Sequence, residues 1–146
     1  MDRPARSYTG VVSRLRKARG STPRRKLLLI DDDRAFLILA ATILRDAGYL
    51  VLEAHDAMQG FMYAQYDPPD IILLDMQIPG GGGMSLLEKV RRVPRLAKVP
   101  IVVVTASTDA GLDEEVRAKG ATSLLRKPVD RDQLLAFVQG VFEKTD

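Results

Sequence analysis

The chain has 146 residues, 46% of them hydrophobic and 28% charged, with no cysteine and no tryptophan. This is the size and composition of one ordinary globular domain, and it excludes a disulfide scaffold, a thiolate metal site and a fibrous chain. The net charge of +3 is an average of two unlike parts: residues 1–26 carry nine Lys/Arg against Asp2 alone, while residues 27–146 carry thirteen basic and eighteen acidic side chains, so the basic balance describes a tail and gives no argument for a nucleic-acid-binding domain.

Residues 1–26 are rich in Arg, Ser, Gly and Pro, and such a segment buries too little apolar surface to offset the entropy of ordering it. A solvated, disordered tail over residues 1–25 is expected. Val11, Leu15 and Ala18 fall at helical spacing, so a short basic amphipathic helix can form there against an acidic partner or a lipid surface. No apolar stretch of the secretory type opens the chain.

From Leu27 the pattern alternates. LLLI reads as a short, fully apolar strand and runs into Asp31-Asp32-Asp33. Three adjacent carboxylates repel one another, and a cation or a solvated strand end has to relieve that repulsion. Arg34–Ala47 repeats apolar residues at helical period and stops at Gly48, a C-terminal cap. Its run FLILAATIL is the longest apolar stretch in the chain, well short of the ~20 residues that span a bilayer. YLVLEA gives a second strand, His55 is expected to be exposed, and Asp56 caps a helix through about Tyr66. DPPD is a stop-and-turn signal, with Asp70 opening a third strand, DIILLD. A flexible glycine-rich loop, Pro79–Gly83, precedes a helix around Ser85–Val93. PIVVVTA is the fourth strand, followed by a short helix around Asp113–Lys119. ATSLLR is a fifth, weaker strand, Lys127-Pro128 a turn, and Arg131–Phe142 the last helix, with Asp130 and Asp132 in its first turn where acids favour the dipole. Strands that are apolar throughout imply a sheet covered on both faces. Alternating β and α elements imply a parallel, doubly wound α/β sheet with crossovers of one hand.

The polar residues fall in a pattern. The first strand ends in the aspartates, the third in Asp75 and the fourth in Thr105, and the fifth is followed by Lys127. In an open parallel sheet the ligand crevice lies outside the carboxyl ends of the strands, so all of these features share one edge. Carboxylates from two strands make a hard oxygen site suited to Mg²⁺. A carboxylate beside Mg²⁺ can act as a nucleophile toward phosphorus, while a lysine and a threonine can stabilise phosphoryl oxygens. Asp75 stands alone on a central strand and is the better nucleophile candidate; the adjacent acids are better placed as metal ligands. Asp33 reads as a helix cap.

At these residues the sequence resembles the receiver domains of two-component response regulators. IDDD at 30–33, LLDMQIPG at 73–80, VTAS at 104–107 and RKPV at 126–129 match the four hallmarks in order, and the resemblance covers residues 26–146. It implies a (βα)5 flavodoxin-like fold with strand order 2-1-3-4-5. It also implies Asp75 as phosphoacceptor and a Mg²⁺ site formed by Asp31, Asp32, Asp75 and the backbone carbonyl of Gln77, with Asp32 a direct ligand and Asp31 acting mostly through water. Thr105 corresponds to the switch hydroxyl and Lys127 to the phosphate-contacting lysine, joined by a cis bond to Pro128. Gln77 and Ser107 occupy rate-tuning positions. Leu124 occupies the second switch position, where receivers often carry a Tyr or Phe whose rotamer couples to phosphorylation.

The resemblance further implies a cytoplasmic signalling domain rather than an enzyme. Its phosphodonor would be a histidine kinase or a histidine phosphotransferase. Output would run through protein contacts on the face around residues 111–144, with no direct DNA binding by the receiver. The chain ends right after the last helix, so no output domain is expected. Two other readings stay open. Asp31-x-Asp33 also resembles the first motif of haloacid-dehalogenase-like phosphohydrolases, with Asp31 as nucleophile and Thr105 and Lys127 as later motifs. That family's acidic pair after the lysine is missing, and Asp75 would be left without a role. A receiver kept only as a phosphorylation-independent scaffold is the other, against which the intact acids, threonine and lysine argue.

Overall fold

A computed structural model describes residues 24–80 and 82–145; the expectations for a disordered tail and a basic amphipathic helix lie outside the described residues. The elements in chain order are β1 (Lys26–Ile30), α1 (Arg34–Asp46), β2 (Leu50–Ala54), α2 (Ala57–Tyr66), β3 (Ile71–Leu74), α3 (Gly82–Arg91), a 3₁₀ turn (Pro94–Leu96), β4 (Ile101–Thr105), α4 (Leu112–Ala118), β5 (Ser123–Arg126) and α5 (Arg131–Thr145). All strand pairs are parallel and the sheet order is β2-β1-β3-β4-β5, as expected. The order reverses direction between β1 and β3, which puts the crevice of a doubly wound sheet at the ends of those two strands.

The apolar strands are apolar because both of their faces are covered. Leu28 and Ile30 point into one layer with Ile72, Leu74, Leu87 and Val103, under α2, α3 and α4. Leu27 and Leu29 point into the other with Leu37, Leu44, Val102 and Val138, under α1 and α5. Each fully buried side chain of this size contributes about 1.5–3 kcal/mol of transfer free energy. The helix starts follow the side chains that can cap them. Asp33 Oδ1 accepts from Phe36 N at 3.2 Å, Asp56 Oδ1 from Gln59 N at 2.8 Å and Asp130 Oδ1 from Gln133 N at 2.7 Å, each replacing a helical acceptor the first turn lacks.

Three local expectations need correcting, and a fourth feature is new. His55 is half-buried: its N–H donates to Gln59 Oε1 at 2.9 Å, which folds it against the start of α2. Helix α3 begins at Gly82, three residues early, so the glycine run is partly helix. The last helix continues to Thr145. The 3₁₀ turn at Pro94–Leu96 was unanticipated; Pro94 occupies its first position, where a missing N–H costs nothing.

Lys26, counted by composition with the basic segment, is the first residue of β1 and only 6% exposed. Its Nζ donates to Asp67 Oδ1 at 2.6 Å, and its backbone N–H donates to Asp70 Oδ2 at 2.7 Å. Asp67 and Asp70, the two acids of the DPPD turn, thereby tie the end of α2 and the start of β3 to the start of β1. Replacing Asp67 with alanine strands a buried ammonium and is expected to cost about 2 kcal/mol in urea unfolding. Lys26→Met should cost less, because the carboxylate left behind can reach water.

Candidate functional site at the carboxyl edge of the sheet

The ladder hydrogen bonds continue one step past the strands and fix where the acids start. Asp31 N–H donates to Ala54 O at 3.0 Å and Asp75 N–H to Ile30 O at 2.9 Å. Asp31 is 2% exposed and Asp75 8%, so both carboxyls lie at the floor of the crevice, with exposed Asp32 at its rim. One carboxylate oxygen from each of Asp31, Asp32 and Asp75 lies within 4.8 Å of the others. Asp33 is not in this cluster; its side chain caps α1, which removes the acid/base residue that the phosphohydrolase reading requires.

Among the described residues Lys127 is the cation beside these acids. Its Nζ is 2.7 Å from Asp31 Oδ2 and 3.9 Å from Asp75 Oδ2. The other Asp31 oxygen accepts from Asp33 N at 2.9 Å, so both oxygens of Asp31 are engaged, while Asp75 Oδ1 accepts from Gln77 N at the longer distance of 3.3 Å. Thr105, 1% exposed, sits opposite Arg126 in the β4–β5 register, and its carbonyl accepts from Lys127 N at 2.8 Å. Thr105 Oγ1 accepts from Ser107 N at 3.2 Å. The side chain of Gln77 is exposed and that of Ser107 half-buried. Leu124 packs partly buried against the α2–α4 layer, and the Lys127-Pro128 bond is cis.

Sequence reading missed Phe36. The Lys127 Nζ lies 4.2 Å from the centre of its ring, a cation–π contact that restrains the ammonium beside the acids. No local signal could have found it, because the two residues lie on α1 and beyond β5.

The electrostatics fit a hard divalent cation. Among the described residues three carboxylates face one ammonium, and burial together with the neighbouring Asp31 carboxylate pushes the Asp75 carboxyl up to about 6, against smaller opposing effects of the Gln77 N–H and Lys127. Oxygen donors from adjacent strands and an open rim suit Mg²⁺, which binds few protein ligands and keeps its water. An acid whose folded pKa is raised binds more protons folded than unfolded between its two values, so stability falls as pH rises across that window. Without divalent cation, the protein is therefore expected to lose stability between about pH 4 and pH 6–7 through this group, and Mg²⁺ should restore it at the upper end. Thermal denaturation across pH, with Mg²⁺ or with EDTA, measures both arms; a cation effect as large at pH 4 as at pH 7.5 would contradict it.

The fold and the crevice define a doubly wound α/β domain of the flavodoxin-like class with an acidic pocket at its switch point. Residues 27–139 match the response regulator receiver domain, and the chain belongs to that family, the receiving module of two-component signal transduction. It is 33% identical over 123 residues to the DNA-binding dual master transcriptional regulator RpaA of Synechocystis sp., covering 83% of this chain and 50% of RpaA. It is 28% identical over 109 residues to sporulation initiation phosphotransferase F of Bacillus subtilis, covering 75% of this chain and 86% of that protein. The chain thus spans about half of the first relative and most of the second. The chemotaxis protein CheY4 of Vibrio cholerae superposes with a TM-score of 0.77 at 31% identity, over 81% of this chain and 98% of that one. Among the described residues no helix is long and apolar enough to cross a membrane.

Proposed function

We propose that this chain accepts a phosphoryl group on Asp75 in a Mg²⁺-dependent reaction and signals through protein contacts. The observation that carries the reading is the convergence of Asp31, Asp32 and Asp75 within 4.8 Å beside Lys127. Asp32, Asp75 and the Gln77 carbonyl would hold the cation directly. Asp31, both of whose oxygens are already engaged, would act through water. When bound, the cation neutralises developing charge on the phosphoryl oxygens.

The chain's own residues do the rest. An Asp75 carboxylate oxygen attacks phosphorus in line; the bond from phosphorus to the donor's imidazole nitrogen breaks, and that nitrogen keeps the electron pair and takes a proton. The product is an acyl phosphate on Asp75. Lys127 then exchanges Asp31 for a phosphoryl oxygen, and Thr105 gives up its contact with the Ser107 N–H to donate its hydroxyl to another. Gln77 and Ser107 flank the acyl phosphate and set water access to it.

The donor is a histidine kinase or histidine phosphotransferase, the setting is cytoplasmic, and the output face is built from residues around 111–144. The basic segment over residues 1–25 would bind an acidic partner or surface, and the receiver domain is assigned to residues 26–146. Incubation with acetyl phosphate and Mg²⁺ tests the central step. One phosphoryl group should appear by intact mass, map to Asp75 after borohydride trapping, and fail to appear in EDTA. Label on Asp31, or steady turnover of phosphate esters, would favour hydrolase chemistry instead.

A further inference from the structure

A phosphoryl group on Asp75 can affect partners only if the site is joined to a movable element, and the residue expected to make that link, position 124, is leucine. Leu124 has no polar side-chain atom and packs against the apolar layer. Side chains alternate across a strand: Leu125 belongs to the α1–α5 layer, so Leu124 and Arg126 share the face toward α4.

Arg126 makes the contacts that Leu124 cannot. Its Nη1 donates to Ser107 O, and its Nη2 donates to Asp109 O at 2.9 Å. These two carbonyls belong to a stepwise run of turns leading from the site to α4. Ser107 N donates to Thr105 Oγ1 at 3.2 Å, Asp109 N to Ser107 Oγ at 3.2 Å, and Gly111 N to Asp109 Oδ1 at 3.0 Å. Leu112 N, the first of α4, donates to Asp109 O at 3.3 Å. The guanidinium therefore clamps the segment at its second and third steps. It sits on the residue adjacent to Lys127, whose own backbone N–H is bonded to Thr105 O. A planar guanidinium presents several donors in a fixed fork, which suits two carbonyls two residues apart better than an ammonium would.

We infer that Arg126 is a positioning residue that latches the β4–α4 segment in its resting place and links Thr105 to α4, taking over the role for which Leu124 is unfit. This rests on the phosphoacceptor reading above. Turning the Thr105 hydroxyl toward a phosphoryl group breaks the Ser107 N–H contact and displaces the carbonyls that Arg126 holds. The latch therefore opposes the switched arrangement, and phosphorylation has to overcome it.

The test uses amide NMR of the full chain, with beryllofluoride and Mg²⁺ as the phosphoryl mimic. In the unsubstituted protein, Ser107, Asp109 and Leu112 resonances should move from a resting to a bound position. In Arg126→Met without mimic they should already lie part-way along the same line, and acetyl phosphate labelling should be about threefold to tenfold faster. Arg126→Lys, able to reach one carbonyl, should fall between. Methionine-variant resonances at the resting position, or displaced off that line, would overturn the latch, as would unchanged labelling. If beryllofluoride moved nothing in the unsubstituted protein, the phosphoacceptor reading would fail instead.

Discussion

Asp75→Asn is expected to take up no phosphoryl group from acetyl phosphate and, in the same protein, to unfold at a higher temperature at neutral pH. The two effects have one cause. Asp75 is buried beside Asp31, and the ionised form needed for attack is the form its surroundings penalise. The asparagine amide keeps the shape and removes the charge: its oxygen is no nucleophile at neutral pH, so labelling should drop at least about 100-fold. Folding no longer carries the cost of holding the second carboxylate. One pKa unit corresponds to about 1.4 kcal/mol, and after discounting for solvent screening a gain of about 1–2 kcal/mol remains at pH 7.5 without divalent cation. Added Mg²⁺ should narrow that gap, since the cation stabilises the carboxylate protein more. Label persisting in Asp75→Asn would remove Asp75 as acceptor, and a variant no more stable than the parent in EDTA would remove the electrostatic account of the site.

How much of this was legible in the chain follows from what each feature depends on. The five strands were readable because a sheet covered on both faces demands continuous apolar runs, and LLLI, IILL and IVVV answer that demand. The acids, Thr105 and Lys127 were readable because each interrupts or follows such a run at its carboxyl end, and a parallel sheet brings those ends to one edge. Asp33 was separable from its neighbours because a cap is a local device. Phe36 over Lys127, Lys26 between two turn acids and Arg126 across the β4–α4 segment were not readable. Each is a juxtaposition created by the crossovers, with no composition or period of its own. His55 was misplaced for a similar reason, since the Gln59 amide that folds back onto it gives no periodic signal.

The glycine run was the hardest to read. Composition alone suggests a flexible loop, yet it performs different tasks residue by residue. Gly80 and Gly82 have positive φ, 89° and 80°, a left-handed conformation that other residues adopt only with strain. Gly83 has ordinary helical geometry and is buried; its N–H donates to Met76 O at 2.9 Å. A Cβ there would lie 2.5 Å from Met76 Cα and 2.6 Å from Asp75 O. Both obstacles are backbone, so no rotamer change relieves them, and they belong to Asp75 and its neighbour. Gly83→Ala is therefore expected to cost about 2–3 kcal/mol in urea unfolding, and Gly83→Val more. In either variant, acetyl phosphate labelling of the folded fraction should slow, because α3 can escape the overlap only by lifting away from the backbone that aims Asp75. Gly140 in α5 is the matched control: nothing lies within 4 Å of its added Cβ. There alanine should stabilise by about 0.5–1 kcal/mol through helix propensity and a less flexible unfolded chain, with labelling unchanged. Equal and small effects at the two positions would mean that the run is only a loop; opposite signs mean that one of its glycines is part of the packing that builds the site.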